Sequence, residues 1–340
     1  MGFCLLATVV LVGCSSSQWV MTQSDSDSVM IVWPPPPAVA KARYVGEIKQ
    51  FKPLKTSFIN YLIGSAKPVE LQKPVAIAVR PDGAVAIADM KHTGVHLYNP
   101  ASRKYDFLYK GGSVTMKSPV GVAFDSKKRL YVSDSVLRRV LVFDSEGKYL
   151  EQIGSGRGIS FGRPTGIACD RNDNIYITDT VNHQVHVFDN TLEYVYSLGG
   201  RGMGEGKLNF PTHLQVDDAG RIYINDAMNF RVQIFDRDKQ PAGRFGNHGD
   251  GSGDFAMSKG IARDRWGIIY VVDCLFDNVQ LFDEQGNYLL SIGSRGTGPA
   301  EFWLPSGIFI DHRDRLYICD TYNRRIQIFQ LYQNAEKEQS

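Results

Sequence analysis

Short apolar segments separated by polar or glycine-rich turns dominate the chain. The stretch RLYICDTYNRRIQIFQ, residues 315–330, has β-branched and aromatic residues on both sides of a polar turn. Residues of these types favour the pleated, half-buried surface of a strand. The pattern therefore predicts two β-strands joined by a turn, with only a short polar tail after them.

The same phrase recurs along the chain. Its copies read AVAIADMKHTGVHLYN (84–99), RLYVSDSVLRRVLVFD (129–144), NIYITDTVNHQVHVFD (174–189), RIYINDAMNFRVQIFD (221–236) and IIYVVDCLFDNVQLFD (268–283). An aspartate closes the first strand of every copy, and these aspartates lie 45, 45, 47, 47 and 47 residues apart, at Asp89, Asp134, Asp179, Asp226, Asp273 and Asp320. The sequence thus contains six repeats.

Each repeat holds four short strands, named a to d. A segment such as PVGVAF (119–124) precedes the recurring phrase, which contains strands b and c, and a segment such as NYLLSIG (287–293) follows it. Four strands per repeat predict an all-β fold, a six-bladed β-propeller of four-stranded blades. The sixth repeat ends before strand d, whereas RYVGEI (43–48) is a d-type strand with no a, b or c before it. We expect this N-terminal strand to complete the last blade and close the ring.

Composition and the chain ends set the domain bounds. With 340 residues and 43% hydrophobic content the chain can bury a large core, and the repeats fill one domain. We expect a signal peptide at 1–13, a Ser/Pro-rich tether at 14–41, the propeller at 42–332 and a polar tail at 333–340. A tether of about 25 residues at roughly 3 Å each would hold the propeller several nanometres from a membrane.

The N-terminus carries an apolar run from Phe3 to Val12, too short for a permanent membrane span but suited to a signal peptide. Leu11-Val12-Gly13-Cys14 resembles the lipobox of bacterial lipoproteins, although no Lys or Arg precedes the apolar run. The resemblance implies lipidation of Cys14 and an exported protein anchored by lipid to the cell envelope, on the periplasmic or outer-membrane side. The alternatives are a plain secretory signal and a short buried strand.

The repeated pattern P-x-G-[IV]-A, then [IL]-Y-[IV]-x-D-x-x-N-x-R-[VI]-Q-x-F-D, resembles the NHL repeat over residues 42–331. NHL proteins are six-bladed β-propellers, in agreement with the blade count from spacing. The strand-b aspartates and the arginines five residues later recur in register, which favours a repeated turn contact or ion pair. Cys169, Cys274 and Cys319 are expected to be buried free thiols, with a Cys274–Cys319 bridge as the alternative.

Function is expected where the b–c turns and the d–a connections meet, around one mouth of the central channel. The basic residues assigned to that face as candidate partner contacts are Arg138, Arg139, Arg201, Arg231, Lys259, Arg295, Arg324 and Arg325. Such a face suits a protein partner, or an anionic glycan or envelope component. A balanced, solvated surface is the alternative. The net charge of +2 and the export signal argue against nucleic acid.

One channel position breaks the repeat. His213 stands where the other repeats have alanine or glycine, and Lys259 lies beside it in the next blade. Similar propellers include lyases and lactonases, and the amidating-lyase relatives hold zinc in the channel through several histidines. Only His213 lies on an innermost strand here, so we expect no metal, no cofactor and no assigned catalytic residue. The main hypothesis is a membrane-anchored, non-enzymatic binding scaffold, and the alternative is a divergent lyase or lactonase at the channel mouth.

An irregular segment precedes the first complete blade. Thr56 or Ser57 is expected to cap a short helix within residues 51–74.

Overall fold

The computed structural model describes residues 18–25, 31–54, 67–154 and 159–333. The predicted signal peptide, Cys14, the short helix after Thr56 or Ser57 and nearly all of the polar tail lie outside these residues. The described residues form 29 β-strands and one single-turn 3-10 helix, Ala227–Asn229. No helix among them is long and apolar enough to cross a membrane.

Five blades are complete four-stranded antiparallel sheets in the order a-b-c-d. Blade 1 comprises β5 (Pro74–Val79), β6 (Val85–Asp89), β7 (Gly94–Asn99) and β8 (Lys104–Leu108), and blade 2 comprises β11 (Pro119–Phe124), β12 (Leu130–Asp134), β13 (Arg139–Phe143) and β14 (Tyr149–Ile153). Blade 3 comprises β15 (Pro164–Cys169), β16 (Ile175–Asp179), β17 (Gln184–Phe188) and β18 (Tyr194–Gly199). Blade 4 comprises β19 (Pro211–Val216), β20 (Ile222–Asp226), β21 (Arg231–Phe235) and β22 (Pro241–Phe245), and blade 5 comprises β23 (Ser258–Arg263), β24 (Ile269–Asp273), β25 (Asn278–Phe282) and β26 (Tyr288–Ile292). Two short strands, β9 (Lys110–Gly111) and β10 (Val114–Thr115), pair in the connection between blades 1 and 2.

The sixth blade is built from both ends of the chain. Strands β27 (Ile308–Ile310), β28 (Arg315–Asp320) and β29 (Arg325–Leu331) supply a, b and c, and β3 (Ala42–Pro53) pairs antiparallel with β29 as strand d. The register aligns Ile326 with Ile48 and Leu331 with Ala42. The predicted closure of the ring by the N-terminal strand is confirmed.

Part of the predicted tether is folded instead. β1 (Trp19–Asp25) and β2 (Val32–Trp33) pair with β3, as does β4 (Val69–Glu70), so this sheet has seven strands. Trp19 packs on the Tyr105 ring at 4.7 Å, and its main-chain N–H donates to the carbonyl of Arg103 at 2.7 Å. Trp33 packs edge-on against Phe329. A few large aromatic side chains attach these strands to the ring. Because these side chains are widely spaced in the sequence, the segment shows no apolar periodicity.

The core consists of apolar layers between neighbouring blades. One polar contact also recurs within five of the blades. A tyrosine in strand b donates its hydroxyl to the aspartate that opens the a–b hairpin, at 3.0–3.2 Å, in the pairs Tyr131–Asp125, Tyr176–Asp170, Tyr223–Asp217, Tyr270–Asp264 and Tyr317–Asp311. A buried hydroxyl needs such a partner. The repeated tyrosine and hairpin aspartate are therefore structural.

The aspartates that close strand b have no solvent exposure in any of the six blades. Asp273 is typical, because it accepts main-chain N–H groups from Ala256 and Met257 in the incoming connection and from Leu275 and Phe276 in the b–c turn. These carboxylates fix the loops at one end of each blade. The predicted repeated turn contact is confirmed.

The three described cysteines are free, with Cys274 and Cys319 buried and Cys169 partly buried. The alternative of a Cys274–Cys319 bridge is therefore not realised.

Candidate functional site: the loop face and the central channel

The b–c turns and the d–a connections lie on the same side of the ring, because strands a to d are antiparallel in every blade; we call this side the loop face. Four of the arginines assigned to it are solvent-exposed: Arg138, Arg201, Arg295 and Arg324. Lys259 is partly buried at the channel mouth, and Arg139 is partly buried with its guanidinium donating to Gln152 Oε1 at 3.1 Å.

Two of the predicted partner contacts are structural. Arg231 is 5% exposed and pairs with Asp226 at 2.8 Å, while its other nitrogens donate to the carbonyls of Met203, Gly204 and Lys207. Arg325 is 3% exposed and pairs with Asp320 at 2.7 Å. Both guanidinium groups are buried and bonded to groups of the same chain, so neither side chain is available to a partner. The predicted ion pair with the strand-b aspartate is confirmed at these two positions.

A set of exposed apolar residues shares the loop face, and sequence reasoning missed it. The position two residues after the strand-b aspartate holds a large apolar side chain in five blades, with 47–59% exposure: Val136, Val181, Met228, Leu275 and Tyr322. Blade 1 has Lys91 there. A turn position that is repeatedly apolar was visible in the sequence, since polar residues are usual at the centre of a turn.

The connections between blades add further exposed apolar side chains to this face, at 39–77% exposure: Tyr109, Met203, Phe210, Met257 and Trp303. Trp303 and Tyr322 lie side by side, with ring centroids 5.6 Å apart, and Lys73 Nζ lies 5.3 Å from the centre of the Tyr322 ring. The loop face thus carries an aromatic platform between blade 6 and blade 1.

The charge on the loop face is strongly positive. The described turns and connections expose ten cations, Lys67, Lys91, Lys110, Lys117, Arg138, Arg163, Arg201, Lys207, Arg295 and Arg324. Against them they expose three carboxylates, Glu70, Glu205 and Asp250, which leaves an excess of seven positive charges (ten minus three). Most of the other carboxylates there are turned into the fold, as in Asp277, which is 5% exposed and accepts the Leu304 N–H. The small net charge of the whole chain hides this asymmetry.

The central channel contains a cavity of about 310 Å³, lined by the innermost strands of all six blades and including His213. The two charged residues of its wall, Arg80 and Asp125, are held in ion pairs with Asp82 and Arg129. His213 Nδ1 is buried without a hydrogen-bond partner among the described residues. Burial and the neighbouring Lys259 cation lower the pKa of His213 to about 4.

We expect His213 to make the protein less stable in acid. Its pKa is lowered in the folded state from 6.5 to about 4, so the unfolded chain takes up the proton first as the pH falls. Stability from this group is complete above pH 6.5, and about 2 kcal/mol or more of it is lost by pH 4.5. Urea unfolding at pH 7.5 and 4.5 measures the loss of unfolding free energy in the parent chain and in His213→Ala. Alanine is chosen because blade 1 has Ala76 at the equivalent position.

The His213→Ala chain should lose less stability on acidification than the parent, whereas His312→Ala, at an exposed hairpin position, should behave as the parent does. An equal loss in all three chains would show that His213 titrates normally in the folded state.

A third group lies in the b–c turn of blade 1. Ligand-type atoms of Asp89, His92 and His96 all lie within 4.8 Å of one another. Burial raises the pKa of Asp89, but the neighbouring His96 imidazole and the main-chain N–H groups of Gln72 and His92 lower it by more, so the pKa is about 2. Burial also lowers the pKa of His96, which favours the neutral imidazole. None of these three residues lies on an innermost strand, because the cluster is formed by the end of strand b, the b–c turn and strand c.

Comparisons with known proteins agree on the fold. The model of the DUF5128 family, a 6-bladed beta-propeller, matches residues 161–245 and 261–340. No curated protein sequence matches the chain.

Three solved structures illustrate the likeness in fold. A protein of unknown function from Bacteroides thetaiotaomicron is 16% identical, with a TM-score of 0.59 over 94% of this chain and 91% of that one. A gluconolactonase from Xanthomonas campestris is 16% identical, with a TM-score of 0.58 over 92% of this chain and 100% of that one. A catalytically inactive virginiamycin B lyase from Staphylococcus aureus is 12% identical, with a TM-score of 0.57 over 76% and 95% of the two chains. At these identities the likeness is one of fold alone. The chain is a six-bladed β-propeller that is similar to the DUF5128 family over much of its C-terminal half.

Proposed function

We propose that the chain is a non-enzymatic binding scaffold of the NHL type whose loop face binds a protein partner. The observation that carries the proposal is the repeated exposed apolar side chain of the b–c turns, present in five of six blades. Exposed apolar groups that cluster on one face of a soluble protein mark interaction surfaces. Because each blade contributes one such side chain, the loop face offers a broad contact surface around the channel mouth.

The chemistry of the loop face favours a protein segment with carboxylates and apolar side chains. Tyr, Trp, Met and Arg are the residue types enriched in protein interfaces, and all four are exposed here, as in Trp303, Tyr322, Met228 and Arg324. The positive excess adds attraction and faster association for an acidic partner. An anionic glycan is the alternative occupant, since the Trp303–Tyr322 pair presents aromatic rings that can pack on a sugar.

We further propose that the protein is exported and anchored by lipid at Cys14, as the lipobox-like sequence implies. Replacing Cys14 with serine removes the thiol that would carry the lipid. Metabolic labelling with a clickable palmitate analogue should then mark the parent chain and leave Cys14→Ser unlabelled. Equal labelling of both chains would contradict the anchor.

Removing the exposed arginines should abolish partner binding without affecting folding. The test chain carries Arg138, Arg201, Arg295 and Arg324 replaced by serine, which leaves the buried Arg231 and Arg325 in place. The matched control replaces four exposed arginines of the opposite hairpins, Arg103, Arg171, Arg237 and Arg313, by serine and changes the net charge equally. Contact with a partner is measured as the covalent adduct formed by a photo-crosslinking amino acid. This amino acid replaces either Leu275 on the loop face or Leu150 on an outer strand.

With the crosslinker at Leu275 we expect a discrete protein adduct, and with the crosslinker at Leu150 we expect none. The Leu275 adduct should be at least tenfold weaker in the chain that lacks the four loop-face arginines and unchanged in the hairpin control. Absence of an adduct at every loop-face position, or an equal loss in both quadruple variants, would contradict the proposal. Adducts that disappear after glycosidase treatment would identify a glycan as the occupant.

A second candidate function is a small-ligand site in the channel, with lyase or lactonase activity. It is favoured by the unpartnered His213 Nδ1 in the wall of the cavity. Lactone hydrolysis by the purified chain that is lost in His213→Ala would support it. Hydrolysis that is absent, or unchanged in the variant, would contradict it.

A further inference from the structure

Blade 1 departs from the other blades at two positions next to the strand-b aspartate. Three and seven residues after this aspartate, blades 4 and 6 have an asparagine and a glutamine: Asn229 and Gln233, and Asn323 and Gln327. The asparagine amides donate to the carboxylate at 2.7 Å in blade 4 and 2.9 Å in blade 6. Blade 1 has His92 and His96 at these positions. It replaces both amides with imidazoles.

The imidazoles do not simply take over the amide contacts. Asp89 Oδ2 lies 3.5 Å from His92 Nδ1 and 3.5 Å from His96 Nε2, beyond the usual range of a hydrogen bond. Both ring nitrogens are buried and have no hydrogen-bond partner among the described residues, and the His96 side chain is fully buried. One ligand-type atom from each of the three side chains therefore lies within 4.8 Å of the other two, and no hydrogen bond joins the imidazoles to the carboxylate.

These distances suit a zinc-type ion. Zinc binds imidazole nitrogen and carboxylate oxygen at about 2.0–2.2 Å in a tetrahedron, so its ligand atoms are roughly 3.3 Å apart. The two nitrogen–oxygen separations of 3.5 Å match this spacing closely. Two histidines and one carboxylate leave a fourth position open. The His92 side chain is 33% exposed, so solvent reaches the cluster from that side and can supply the fourth ligand.

The surroundings hold the three side chains in place. His96 Nδ1 lies 2.9 Å from the Tyr105 hydroxyl, and an N–H donated to that oxygen leaves Nε2 as the free lone pair that a metal requires. Asp89 Oδ1 accepts main-chain N–H groups from Lys73, Lys91 and His92. Oδ2 accepts one N–H, from Gln72 at 2.7 Å, and keeps a second lone pair for a metal on the side of the histidines. Phe51 stacks on His96 at 5.5 Å, and Phe107 lies 5.0 Å from it. The cluster is thus ordered by hydrogen bonds and shielded on one side by aromatic rings.

We propose that Asp89, His92 and His96 form a binding site for a divalent transition-metal ion, with zinc as the best fit. The site lies in the b–c turn of blade 1, where Lys91 replaces the exposed apolar residue of the other blades. It is independent of the partner-binding role proposed for the loop face.

The test uses the full chain, stripped with a chelator and titrated calorimetrically with zinc chloride. The double variant His92→Asn/His96→Gln carries the residues that blades 4 and 6 have at these positions, so it is expected to fold. His186→Gln is the matched control, since His186 occupies the equivalent strand-c position in blade 3, with its Nε2 3.6 Å from Asp179 Oδ2. Blade 3 lacks the second imidazole, because Asn182 stands where blade 1 has His92 and donates its amide N–H to Asp179. Tyr105→Phe probes the residue that orients His96.

We expect one zinc ion per parent chain and per His186→Gln chain. The double variant should bind at least 100-fold more weakly, and Tyr105→Phe should bind about 10- to 100-fold more weakly. Cobalt chloride should give the visible absorption of a tetrahedral site in the parent and His186→Gln chains and not in the double variant. The proposal is overturned if the parent chain binds no zinc, or if the folded double variant binds zinc as the parent does.

Zinc should also raise the melting temperature of the parent chain and leave that of the double variant unchanged, because a ligand of the folded state alone stabilises it. An equal shift in both chains would place the ion elsewhere and overturn the assignment.

Discussion

Replacement of Arg325 by alanine is expected to lower the free energy of unfolding by about 3–5 kcal/mol, the usual cost of removing one partner from a buried ion pair. The guanidinium pairs with Asp320 at 2.7 Å and with Glu47 at 2.8 Å, and its remaining N–H groups donate to the carbonyls of Gly298 and Glu301. Without it, the fully buried carboxylate of Asp320 would lose its charged partner. Because Glu47 belongs to β3 and Arg325 to β29, the same side chain also joins the two ends of the chain.

The matched control is Arg139→Ala, at the equivalent position of blade 2. Arg139 is only partly buried and donates to the neutral Gln152. Its removal should cost about 1 kcal/mol or less. Guanidinium-induced unfolding of the three chains, followed by fluorescence, measures both differences. Similar losses for the two variants would show that the Arg325 ion pairs do not stabilise the ring.

A chain that begins at Gln50 is expected to lose cooperative folding, because it lacks the strand that closes the sixth blade. Tyr44 and Ile48 are at most 4% exposed in the folded ring, and burial of each such side chain contributes about 1.5–3 kcal/mol. The two side chains together contribute about 3–6 kcal/mol, which is comparable to the lower end of the total stability of a typical domain, about 5–15 kcal/mol. The truncation would also leave β29 as an open edge that pairs with other chains.

A chain that begins at Lys41 is the control, since it lacks β1 and β2 but keeps the closing strand. It should remain folded and monomeric with a lowered melting temperature, whereas the chain from Gln50 should aggregate and show no cooperative transition. Calorimetry and light scattering distinguish the two. A sharp transition and a monomeric mass for the shorter chain would mean that the ring is stable without its closing strand.

The periodic part of the fold could be predicted because each blade repeats the same local pattern. The spacing of Asp89 to Asp320 gave the blade count, and the unfinished sixth repeat indicated the role of residues 43–48. The strands at 19–25 and 32–33 lack this repetition. Their pairing depends on contacts of Trp19 and Trp33 with side chains far away in sequence, which no local pattern records.

The candidate site was harder to predict, because charge in the sequence does not show which side of a strand a residue occupies. Arg324 and Arg325 are adjacent, yet Arg324 is exposed and Arg325 is 3% exposed. Arg324 ends the turn, whereas Arg325 begins strand c and faces the strand-b aspartate. Likewise, His92 and His96 are four positions apart in the sequence, and only the hairpin between strands b and c brings both next to Asp89.

The folded position of Trp19 determines how the propeller would be oriented if Cys14 carries the proposed lipid. Only four residues lie between Cys14 and Trp19, so the two Cα atoms are at most about 17 Å apart. The Trp19 main chain is bound to Arg103, in the c–d hairpin of blade 1, on the side of the ring opposite the loop face. The bilayer would then lie close beneath that hairpin. The propeller would then not be carried by a long flexible tether. It would be held near the lipid surface with its loop face turned outward, toward partners that approach from the aqueous phase.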